Sequence, residues 1–585
     1  MEILRYDILI LGSGLAGLRA ALQASIVSNG KLRIAVISKV QAMRSHSVAA
    51  EGGISGVLYP KEYNDSFSLH AYDTVKGSDF LADQDAVEIL ARLAPEEIRF
   101  FDHLGTPWSR LPDGRIAQRP FGGMSVPRTA YAADKTGFFM MSTLYSNLQR
   151  FDNVEIFHEH IATSILLENG VFRGFTVLDL ESGEMKLFLG KAGIIATGGG
   201  ARVYSFTTVS QASTGDGIAI AYRAGIPVKD MEFVQFHPTA LIPSGTLITE
   251  AARGEGGYLI NRLGERFMKR YAPQKMELAP RDIISRAMIT EIIEGRGLRD
   301  EESGLDYLYL DLRHLGERVF RDKLPMIREI TRKLINLDPL SEPIPVLPAA
   351  HYTMGGIHVD TYGQVILDDK TPIPNLWAAG EVAAVSIHGA NRLGSNALSE
   401  CVVWGRITGS LAADYALKAP DTMLNISQIV TNKAREEESR VFDRLIHREV
   451  GGENPYLIKR ELQRMMDDMV GIFRDGSILG EAWSKLKRLK ERMSQARLEY
   501  VGKTYNNNLR DILEINNMIS VAETIIVGAI TRRESRGAHY RLDYPSRDDT
   551  NYLKHTIVYY RVGEEPIVTY TPVRITLWKP EERRY

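Results

Sequence analysis

Short apolar runs alternate with glycine-rich turns over the first forty residues of the chain. Residues 6–11 form an apolar run that ends at glycines, and an alanine- and leucine-rich stretch with helical spacing follows through Ile26. A second apolar run, LRIAVIS, covers residues 32–38. Strand, glycine turn, helix and strand in this order predict the opening βαβ unit of a nucleotide-binding fold.

Two further apolar segments resemble buried strands but lie far from this first unit. One is GIIATGGG at residues 193–200, and the other is NLWAAGE at residues 375–381. A nucleotide-binding sheet assembled from such distant segments is typical of large FAD-dependent oxidoreductases rather than of compact NAD dehydrogenases. Residues 231–348, which lie between the two segments, are richer in turns and charge and predict an inserted domain.

From about residue 426 to residue 528, apolar residues recur at three- and four-residue steps, which predicts helices. The clearest positions are Leu462, Met465, Met469, Phe473, Trp483, Leu486 and Leu489. A stripe of this kind is typical of a helix-packing surface, so we assign these residues to a bundle core. The last fifty residues alternate apolar and polar positions in HTIVYYRV and VRITLWKP, which predicts strands.

These patterns predict an α/β protein. A Rossmann-like FAD-binding domain is expected in two parts, residues 1–230 and 349–412, with an α+β capping domain at residues 231–348 inserted between them. A C-terminal helical bundle domain is expected at residues 413–530 and a small strand-containing segment at residues 531–585. There is no internal repeat and no low-complexity segment.

Gly12, Gly14 and Gly17 form G-x-G-x-x-G directly after the first strand and at the start of the helix. The first glycine permits a tight turn, the second lets a pyrophosphate approach the backbone, and the third lets helix and strand pack closely. The acid that usually binds the ribose after the second strand is missing, because Ser38 and Lys39 stand there. The motif alone does not separate NAD from FAD, but this absence favours FAD.

The composition of the 585 residues narrows the function further. Hydrophobic residues make up 44%, charged residues 25% and the formal net charge is −2, which is typical of a folded soluble protein and disfavours nucleic-acid binding. Cys401 is the only cysteine, so the chain forms no internal disulfide and does not hold an iron–sulfur cluster by four thiolates. No metal site is expected, and a reducing compartment fits.

Membrane and targeting signals are not evident in the sequence. We find no apolar run that approaches the roughly 18 residues needed to span a bilayer. The opening residues MEILRYDILILGSG contain acidic residues and no basic region, twin arginine or cleavage site, so no targeting segment is expected.

The segment MRSHSVAAEGG at residues 43–53 places His46 among small residues and before a glycine pair. Alone, this fits a loop histidine that hydrogen-bonds to the backbone. However, the chain also contains, in order, GSGLAGLRAA, RTAYAADKTG, STGDG, FHPT, TEAARGEGG, APRDIISRA, HYTMGG, AAGE, HGANRLGSNALSE and ESRGAHYRLDYPSRDD. In this order and at these intervals, over nearly the whole length, the chain resembles the flavoprotein subunits of succinate dehydrogenase and fumarate reductase.

The resemblance implies a covalent cofactor. In that family the matching histidine is bonded to the 8α carbon of FAD, which raises the reduction potential of the flavin; here it is His46. The other FAD contacts that the resemblance and the glycine motif imply are Gly12, Gly14, Gly17, Ser38, Lys39, Ser45, Gly52, Gly53, Asp216, Glu381, Ala397 and Leu398. Asp216 and Glu381 are expected to bond to hydroxyl groups, although an acid after glycines is often a helix cap. Ala397 stands where the family often has serine.

The resemblance also implies a site for a four-carbon dicarboxylate. His237, Thr249 and Glu250 match the family's group at one carboxylate, and His351 and Arg392 match the group at the other. Arginine's planar fork suits bidentate carboxylate binding. Arg281 matches the residue that exchanges a proton with the substrate carbon, and Glu250 and Arg253 are expected to relay that proton. Without the resemblance, a structural salt bridge explains any one of these arginines.

The expected activity is that of the catalytic flavoprotein of succinate:quinone oxidoreductase, with hydride transfer from succinate to FAD. Electrons are expected to pass to a separate iron–sulfur subunit and then to a membrane anchor and quinone, with the chain on the cytoplasmic face of the membrane. The alternatives are fumarate reduction in the reverse direction, a soluble enzyme such as L-aspartate oxidase, and a non-catalytic flavin-binding scaffold. The segment RRESRGAHYRLDYPSRDD suits either a docking surface or a solvated turn.

Overall fold

The computed structural model describes residues 1–368, 371–443 and 452–585. Residues 369–370 fall in the predicted second part of the FAD-binding domain, and residues 444–451 fall in the predicted helical domain; both lie outside the described residues. The order of elements along the chain is α/β throughout its first two thirds and mainly helical after residue 396.

The α-helices of the described residues are α1 (Leu15–Val27), α2 (Phe67–Gly77), α3 (Gln84–Leu104), α4 (Thr136–Leu148), α5 (Asp216–Arg223), α6 (Ala251–Gly254), α7 (Met268–Tyr271), α8 (Arg281–Ile293), α9 (Glu317–Asp322), α10 (Pro325–Ile335), α11 (Asn396–Lys418), α12 (Gln428–Val441), α13 (Pro455–Met469), α14 (Gly476–Ser494) and α15 (Asn507–Thr531). Short 3-10 turns cover Ala42–Arg44, His46–Ala49, Ala201–Val203, Met276–Leu278, Arg313–Leu315 and Asp421–Leu424.

The strands of the described residues are β1 (Glu2–Leu11), β2 (Ile34–Ile37), β3 (Ile54–Ser55), β4 (Gln118–Arg119), β5 (Thr129–Ala130), β6 (Val154–Phe157), β7 (His160–Glu168), β8 (Val171–Asp179), β9 (Met185–Ile195), β10 (Val228–Lys229), β11 (Val234–Leu241), β12 (Thr246–Leu247), β13 (Tyr258–Ile260), β14 (Leu298–Arg299), β15 (Asp306–Asp311), β16 (Ile344–Thr353), β17 (Gly356–His358), β18 (Gln364–Ile366), β19 (Pro372–Ala378), β20 (Ala383–Ala384), β21 (Phe473–Arg474), β22 (Tyr540–Arg541), β23 (Lys554–Tyr559) and β24 (Ile567–Pro572).

The central sheet has the strand order β18-β19-β9-β1-β2-β6, and β7 and β8 extend it beside β9. β1 pairs in parallel with β2 on one side and with β9 on the other, and β19 pairs in parallel with β9. The predicted βαβ unit is therefore confirmed, and so is the sheet assembled from segments far apart in sequence. β2 and β9 are almost fully buried, as parallel strands covered on both faces should be.

The inserted region contains its own sheet, in the order β12-β11-β16-β15-β13 with β14 beside β15. Helices α6 to α10 accompany it, and α8 packs against β11, β15 and β16. A separate apolar cluster, which includes Leu259, Met288 and Ile327, fills the space between this sheet and its helices. The predicted boundary at residue 348 falls inside β16, which runs from this sheet back to the central part of the molecule.

The methionine and leucine stripe packs as predicted. Leu462, Met465, Met469, Leu486 and Leu489 are buried in one apolar cluster. The remaining two positions of the stripe differ from this: Phe473 begins the short strand β21, and Trp483 is only partly buried.

Helix α15 corrects the expectation that no apolar segment approaches membrane length. Its mean hydropathy of 1.4 makes it the one described helix that is long and apolar enough to cross a membrane by length and composition alone. Polar residues interrupt it, which is why no continuous apolar run reveals it. In the fold, 89% of its most apolar window is buried inside the protein, where the helix packs against α5, α13 and α14.

The last strands join the body of the protein instead of forming a separate unit. β23 pairs with β10 and with β24 in a five-stranded sheet of order β20-β17-β10-β23-β24. The strand predicted at VRITLWKP (573–580) is wrong, because β24 ends at Pro572. Its backbone amides bind side chains instead: Arg574 N–H donates to Asp83, and Thr576, Leu577 and Trp578 N–H groups donate to Gln84 Oε1.

His555 on β23 fastens this sheet to the rest of the molecule and should make its stability depend on pH. The buried imidazole lies 2.6 Å from Asp230 and 3.2 Å from Asp83. Burial alone would lower its pKa, but the charges of Asp230 and Asp83 raise the pKa to about 9. Because this value exceeds the ordinary His pKa of about 6.5, the stabilisation is fully present below pH 6.5 and is lost as pH rises through 9.

We expect the free energy of unfolding to fall by about 3 kcal/mol between pH 6 and pH 10 on account of this group, since one pKa unit corresponds to about 1.4 kcal/mol. Urea unfolding at a series of pH values measures the effect. A His555→Gln variant should be less stable at pH 6 and show a flatter profile; an equally steep decline in both proteins would exclude His555 as its source.

Candidate active site

A cavity of about 1200 Å³ lies between the central sheet and the inserted region. It is bordered by the turn after β1, the segment from Met43 to Gly53, and residues from β11, α8, α10 and the start of α11. The candidate residues that line it are Gly12, Gly14, Ser38, Lys39, Ser45, His46, Gly52, Gly53, Asp216, His237, Thr249, Glu250, Arg281, His351, Glu381, Arg392, Ala397 and Leu398. Gly17 and Arg253 do not line it.

The glycine turn after β1 has the geometry that the motif requires. Gly12 adopts a φ of +114°, and a Cβ there would lie 2.2 Å from the carbonyl oxygen of Ala196 on β9's continuation. A Cβ on Gly17 would lie 2.0 Å from the Gly12 carbonyl oxygen, so this glycine serves helix–strand packing and not the cavity. Gly14, Leu15 and Ala16 line the cavity, so the N-terminus of α1 faces it, as a phosphate-binding helix end should. The Leu15 N–H donates to Ser47 Oγ at 3.1 Å.

Lys39 occupies the position after β2 where an acid is usual. Its ammonium group lies 2.6 Å from Asp216 and 2.8 Å from Glu514 on α15, and it also donates to Thr214. Asp216 accepts further hydrogen bonds from Thr214 and Asn517. Burial alone would raise the pKa of Asp216. The charge of Lys39 and the hydrogen bonds from these donors outweigh burial and lower the pKa below its ordinary value, so the carboxylate remains charged. Two acids from other parts of the chain therefore bind Lys39, and of these Asp216 lines the cavity.

His46 begins a 3-10 turn of small residues that borders the cavity. The backbone N–H of Ser210 donates to His46 Nδ1 at 3.3 Å, and burial lowers the pKa of the imidazole to about 4. The ring is therefore neutral near pH 7. Because Nδ1 accepts a hydrogen bond, Nε2 is the nitrogen left for another bond.

Several buried polar atoms of the cavity wall find no hydrogen-bond partner among the residues that the structure describes. They include Ser45 Oγ, Glu51 Oε2, Thr197 Oγ1, Arg202 Nε and Arg392 Nε. Buried polar groups are nearly always satisfied in folded proteins, so these atoms fit a large polar ligand. Donors and acceptors distributed along a long cavity, beside a phosphate-binding turn, suit a dinucleotide such as FAD.

Glu381 and the start of α11 complete this part of the wall. The Glu381 carboxylate accepts a hydrogen bond from the Thr353 N–H at 2.9 Å. Burial raises its pKa to about 7, so it can donate or accept a hydrogen bond near neutral pH. Ala397 and Leu398 lie in the first turn of α11, after Ser395 in a left-handed conformation.

Arg281 lies at the opposite part of the cavity, at the first residue of α8. Its Nε donates to Glu250 at 2.8 Å, and its Nη1 donates to Gln235 at 3.0 Å. The other Glu250 oxygen accepts from the Gly122 N–H at 2.5 Å. Burial alone would raise the pKa of Glu250, but Arg281 and Arg253 lower it below its ordinary value. The glutamate is therefore a charged group that fixes Arg281.

Arg253 lies behind Glu250 and away from the cavity wall. Its guanidinium is 3.6 Å from the Glu250 carboxylate, and its Nη1 donates to the Glu277 carbonyl at 2.7 Å. Glu277 in turn binds Arg266, whose side chain is 42% exposed. The row of charged groups Arg281, Glu250 and Arg253 therefore leads from the cavity towards the surface.

Two neutral histidines lie side by side in the cavity wall. The rings of His237 on β11 and His351 on β16 have centroids 5.0 Å apart. Burial and the nearby charges of Arg281 and Arg392 lower the pKa of both well below the ordinary value. The Thr239 N–H donates to His237 Nδ1, so the neutral ring carries its proton on Nε2 and is a hydrogen-bond donor there.

Arg392 is a buried cation without a protein anion. Its guanidinium stacks over the Tyr352 ring at 4.3 Å, its Nε has no hydrogen-bond partner, and no carboxylate in the described part of the chain forms a salt bridge with it. Burial, together with the charge of Arg281, lowers its pKa to about 10. Keeping an unpaired charge buried is unfavourable, so the site is suited to an anionic ligand.

Comparison with known proteins decides the family. A family model described as "FAD binding domain" matches residues 7–398, and one described as "Fumarate reductase flavoprotein C-term" matches residues 459–585. The fumarate reductase flavoprotein subunit of Mycobacterium tuberculosis is 44% identical over 99% of this chain and 99% of that protein. The succinate dehydrogenase flavoprotein subunit of Coxiella burnetii is 42% identical over 98% of this chain and 97% of that protein.

The chain belongs to the succinate dehydrogenase and fumarate reductase flavoprotein family. Among solved structures, an Escherichia coli quinol fumarate reductase flavoprotein with one substitution matches with a TM-score of 0.94 at 40% identity, covering 100% of this chain and 99% of that one. As a member of this family, the chain is an FAD-dependent oxidoreductase of the α/β class, and the predicted family and fold class are confirmed.

The flavoprotein site also contains residues that sequence reasoning missed. Gln235 binds Arg281, Thr208 Oγ1 lies 2.6 Å from His351 Nδ1, and the Ser210 N–H binds His46. Gln235 stands two residues before His237, and the period of two along a strand was a usable signal. Thr208 and Ser210 carry no such signal, since an irregular loop places them; that loop contacts both His46 and His351.

Proposed function

We propose that this flavoprotein interconverts succinate and fumarate and that a dicarboxylate binds between Arg281 and Arg392. The observation that carries the proposal is the buried, unpaired Arg392 in the same cavity as Arg281 and two neutral histidines. A dicarboxylate supplies the missing negative charge, because arginine binds carboxylates through paired hydrogen bonds. The flavoprotein relatives bear the names of both directions of this reaction.

The substrate-binding residues have separate tasks. Arg392 and His351 hold one carboxylate, while His237 and Thr249 hold the other. Because both histidines are neutral, they donate directed hydrogen bonds without adding charge to a site that already contains Arg281 and Arg392. Holding both ends of a four-carbon chain fixes the orientation of its central carbons, and such positioning supplies much of the rate of a transfer reaction.

Arg281 is proposed as the group that exchanges a proton with the substrate carbon. An arginine is a poor base in water, but the Arg281 side chain is buried in the cavity wall, and in the direction of fumarate reduction it would act as an acid. Glu250 accepts from Arg281 Nε, and Arg253 lies on the far side of that carboxylate. These three residues are therefore proposed as the proton path, with Glu250 also fixing the direction of the guanidinium.

FAD, when bound in the cavity, supplies the acceptor for the hydride that leaves succinate. The proposed holding residues are the glycine turn, Lys39, Asp216 and Glu381, with the cavity-lining groups that find no protein partner. Asp216 is already bonded to Lys39, so its proposed contact with a hydroxyl group uses its remaining acceptor capacity. We propose that His46 Nε2, after giving up its proton, would hold FAD covalently at the 8α carbon in place of one hydrogen of that methyl group, with the electron pair of the lost C–H bond left on the flavin.

The inserted region is proposed as a cap, residues 231–348, that excludes water from the cavity. It carries His237, Thr249, Glu250 and Arg281, whereas His46 and Arg392 belong to the FAD-binding parts. Closure of such a region assembles the two halves of a site. The proposal keeps the five regions predicted from the sequence: residues 1–230, 231–348, 349–412, 413–530 and 531–585.

An iron–sulfur subunit is proposed as the electron acceptor, followed by a membrane anchor and quinone. The single cysteine of this chain does not suffice for a cluster. A solved relative is described as a quinol–fumarate reductase with menaquinol molecules, and another as Mycobacterium smegmatis Sdh1 in complex with UQ1. We place this chain, as a peripheral subunit of such a complex, on the cytoplasmic face of the membrane.

A dye-coupled assay of the purified holoprotein tests the function. We expect succinate to reduce an artificial acceptor and reduced viologen to be oxidised by fumarate, whereas L-aspartate should give no signal. Activity with L-aspartate would favour an aspartate-oxidase-like enzyme. A protein that binds FAD but acts on none of these compounds would be a scaffold, contrary to the proposal. The ratio of the rate of succinate oxidation to the rate of fumarate reduction indicates the favoured direction.

A further inference from the structure

The segment that follows β24 returns to the start of α8, close to the candidate active site. There, Arg583 Nη2 lies 2.7 Å from one carboxylate oxygen of Asp282 and 3.1 Å from Asp79. The side chains of these three residues are exposed by 9% or less. Tyr585 packs nearby against the apolar cluster of the inserted region. One arginine therefore bridges two buried carboxylates from distant parts of the chain.

The two carboxylates belong to the two halves of the site. Asp79 lies in the turn after α2, in the predicted first part of the FAD-binding domain, and its oxygens also accept from Arg547 and from the Gly537 N–H. Asp282 lies in the first turn of α8, in the predicted cap, and also binds Arg286. Arg583 is thus a connection between the cap and the rest of the protein.

Asp282 directly follows Arg281, so the bridge is one residue from the proposed proton-exchanging group. Consecutive residues on a helix project about 100° apart, since an α-helix has 3.6 residues per turn. Arg281 accordingly reaches the cavity, where it binds Glu250 and Gln235, while Asp282 reaches Arg583 on another side. The first turn of α8 is held from both directions, and loosening one side would free the other.

We propose that Arg583 is a positioning residue for the reaction: by joining Asp79 to Asp282, it fixes the first turn of α8 and with it the direction of the Arg281 side chain. This rests on the proposed role of Arg281. Arg583 does not line the cavity. It acts through Asp282, so it should influence turnover far more than the binding of dicarboxylates by His351 and Arg392.

Arg584 provides a matched control. It is the next residue, carries the same charge, and its side chain is 80% exposed and pairs only with Glu582 among the described salt bridges. In the holoprotein, we expect Arg583→Met to lower kcat by about 30-fold, since a small displacement of a catalytic group costs rates of this order. The KM for succinate and the Kd for the unreactive dicarboxylate malonate should change less than about threefold, because the anion-binding residues stay in place. Arg584→Met should behave as the unchanged protein.

Arg583→Lys provides a second test in case Arg583→Met does not fold. It keeps the positive charge between Asp79 and Asp282 but loses the planar fork, so we expect a smaller fall in kcat, about fivefold. If kcat in both Arg583 variants stays within twofold of that of Arg584→Met, or if it falls only in proportion to flavin content, the proposal is overturned.

Hydrogen exchange separates this proposal from the proposed function. The amides of residues 281–293 should exchange faster in Arg583→Met than in Arg584→Met, while those of α1, in the FAD-binding part, should not change. If the unchanged protein fails to oxidise succinate but the α8 amides exchange faster in Arg583→Met, the proposed function is wrong, while the proposed link from Arg583 to α8 is supported. If succinate is oxidised and α8 exchanges equally in both variants, only the bridge is wrong.

Discussion

Replacement of Arg281 by lysine should abolish most turnover while leaving the flavin in place. Lysine keeps the positive charge next to Glu250, but it cannot bind Glu250 and Gln235 together as the guanidinium does. Loss of a positioned proton donor or acceptor costs about 10²- to 10⁴-fold in rate, so we expect kcat to fall about 10³-fold. The dye-coupled succinate assay measures this, and the visible flavin spectrum measures cofactor content.

Arg299→Lys is the control, since this arginine lies on β14 in the same inserted region with 56% of its side chain exposed. It should retain the activity of the unchanged protein. Near-normal turnover of Arg281→Lys would remove Arg281 from the mechanism, and a parallel loss of bound flavin would show that the residue supports the cofactor site instead.

Replacement of Arg392 by glutamine should weaken dicarboxylate binding without destabilising the protein. Hydrogen bonds to charged groups contribute about 1.5–3 kcal/mol each, so losing a two-bond contact should raise the Kd of malonate and lower kcat/KM by about 10²- to 10⁴-fold. Because no described carboxylate pairs with Arg392, and burial already disfavours its charge, the ligand-free protein should not become less stable. Isothermal titration and urea unfolding measure the two effects.

Arg128 provides the control, because the same substitution there should destabilise the protein. It is also buried, but its guanidinium pairs with Asp65 at 2.8 Å and with Asp73 at 2.5 Å. Arg128→Gln leaves two buried carboxylates without their partner and should cost about 3–5 kcal/mol of stability. If Arg392→Gln destabilised the ligand-free protein as strongly as Arg128→Gln, Arg392 would be a structural residue and not an anion-binding one.

The parts of the fold that the sequence predicted well are those set by local pattern. The strand, turn and helix around Gly12 and Gly17 are recognisable because the turn needs a left-handed glycine and the helix needs close packing. The buried strands at residues 193–195 and 376–378 are recognisable as apolar runs before glycines. All the candidate site residues that the motifs indicated, except Gly17 and Arg253, line the cavity.

Long-range contacts account for what the sequence did not predict. Glu514 on α15 pairs with Lys39. Arg583, beyond β24, pairs with Asp79 and Asp282. No local sequence pattern predicts either of these ion pairs. Alternation in VRITLWKP suggested a strand, but the side chain of Gln84 takes the backbone N–H groups that a strand would have used. Periodicity reports which face is apolar; it does not report which partner satisfies the backbone.

The attachment of the flavin tests the central claim most directly, because the proposal requires a flavin fixed at His46 in the cavity that holds Arg281 and Arg392. After acid denaturation and trypsin digestion of the holoprotein, cleavage at Arg44 and Lys61 yields the peptide 45–61 with His46 inside it. We predict that the yellow colour and the added mass of FAD stay with this peptide, and that in His46→Ala the flavin is released. Free flavin in the supernatant of the unchanged protein would contradict the account.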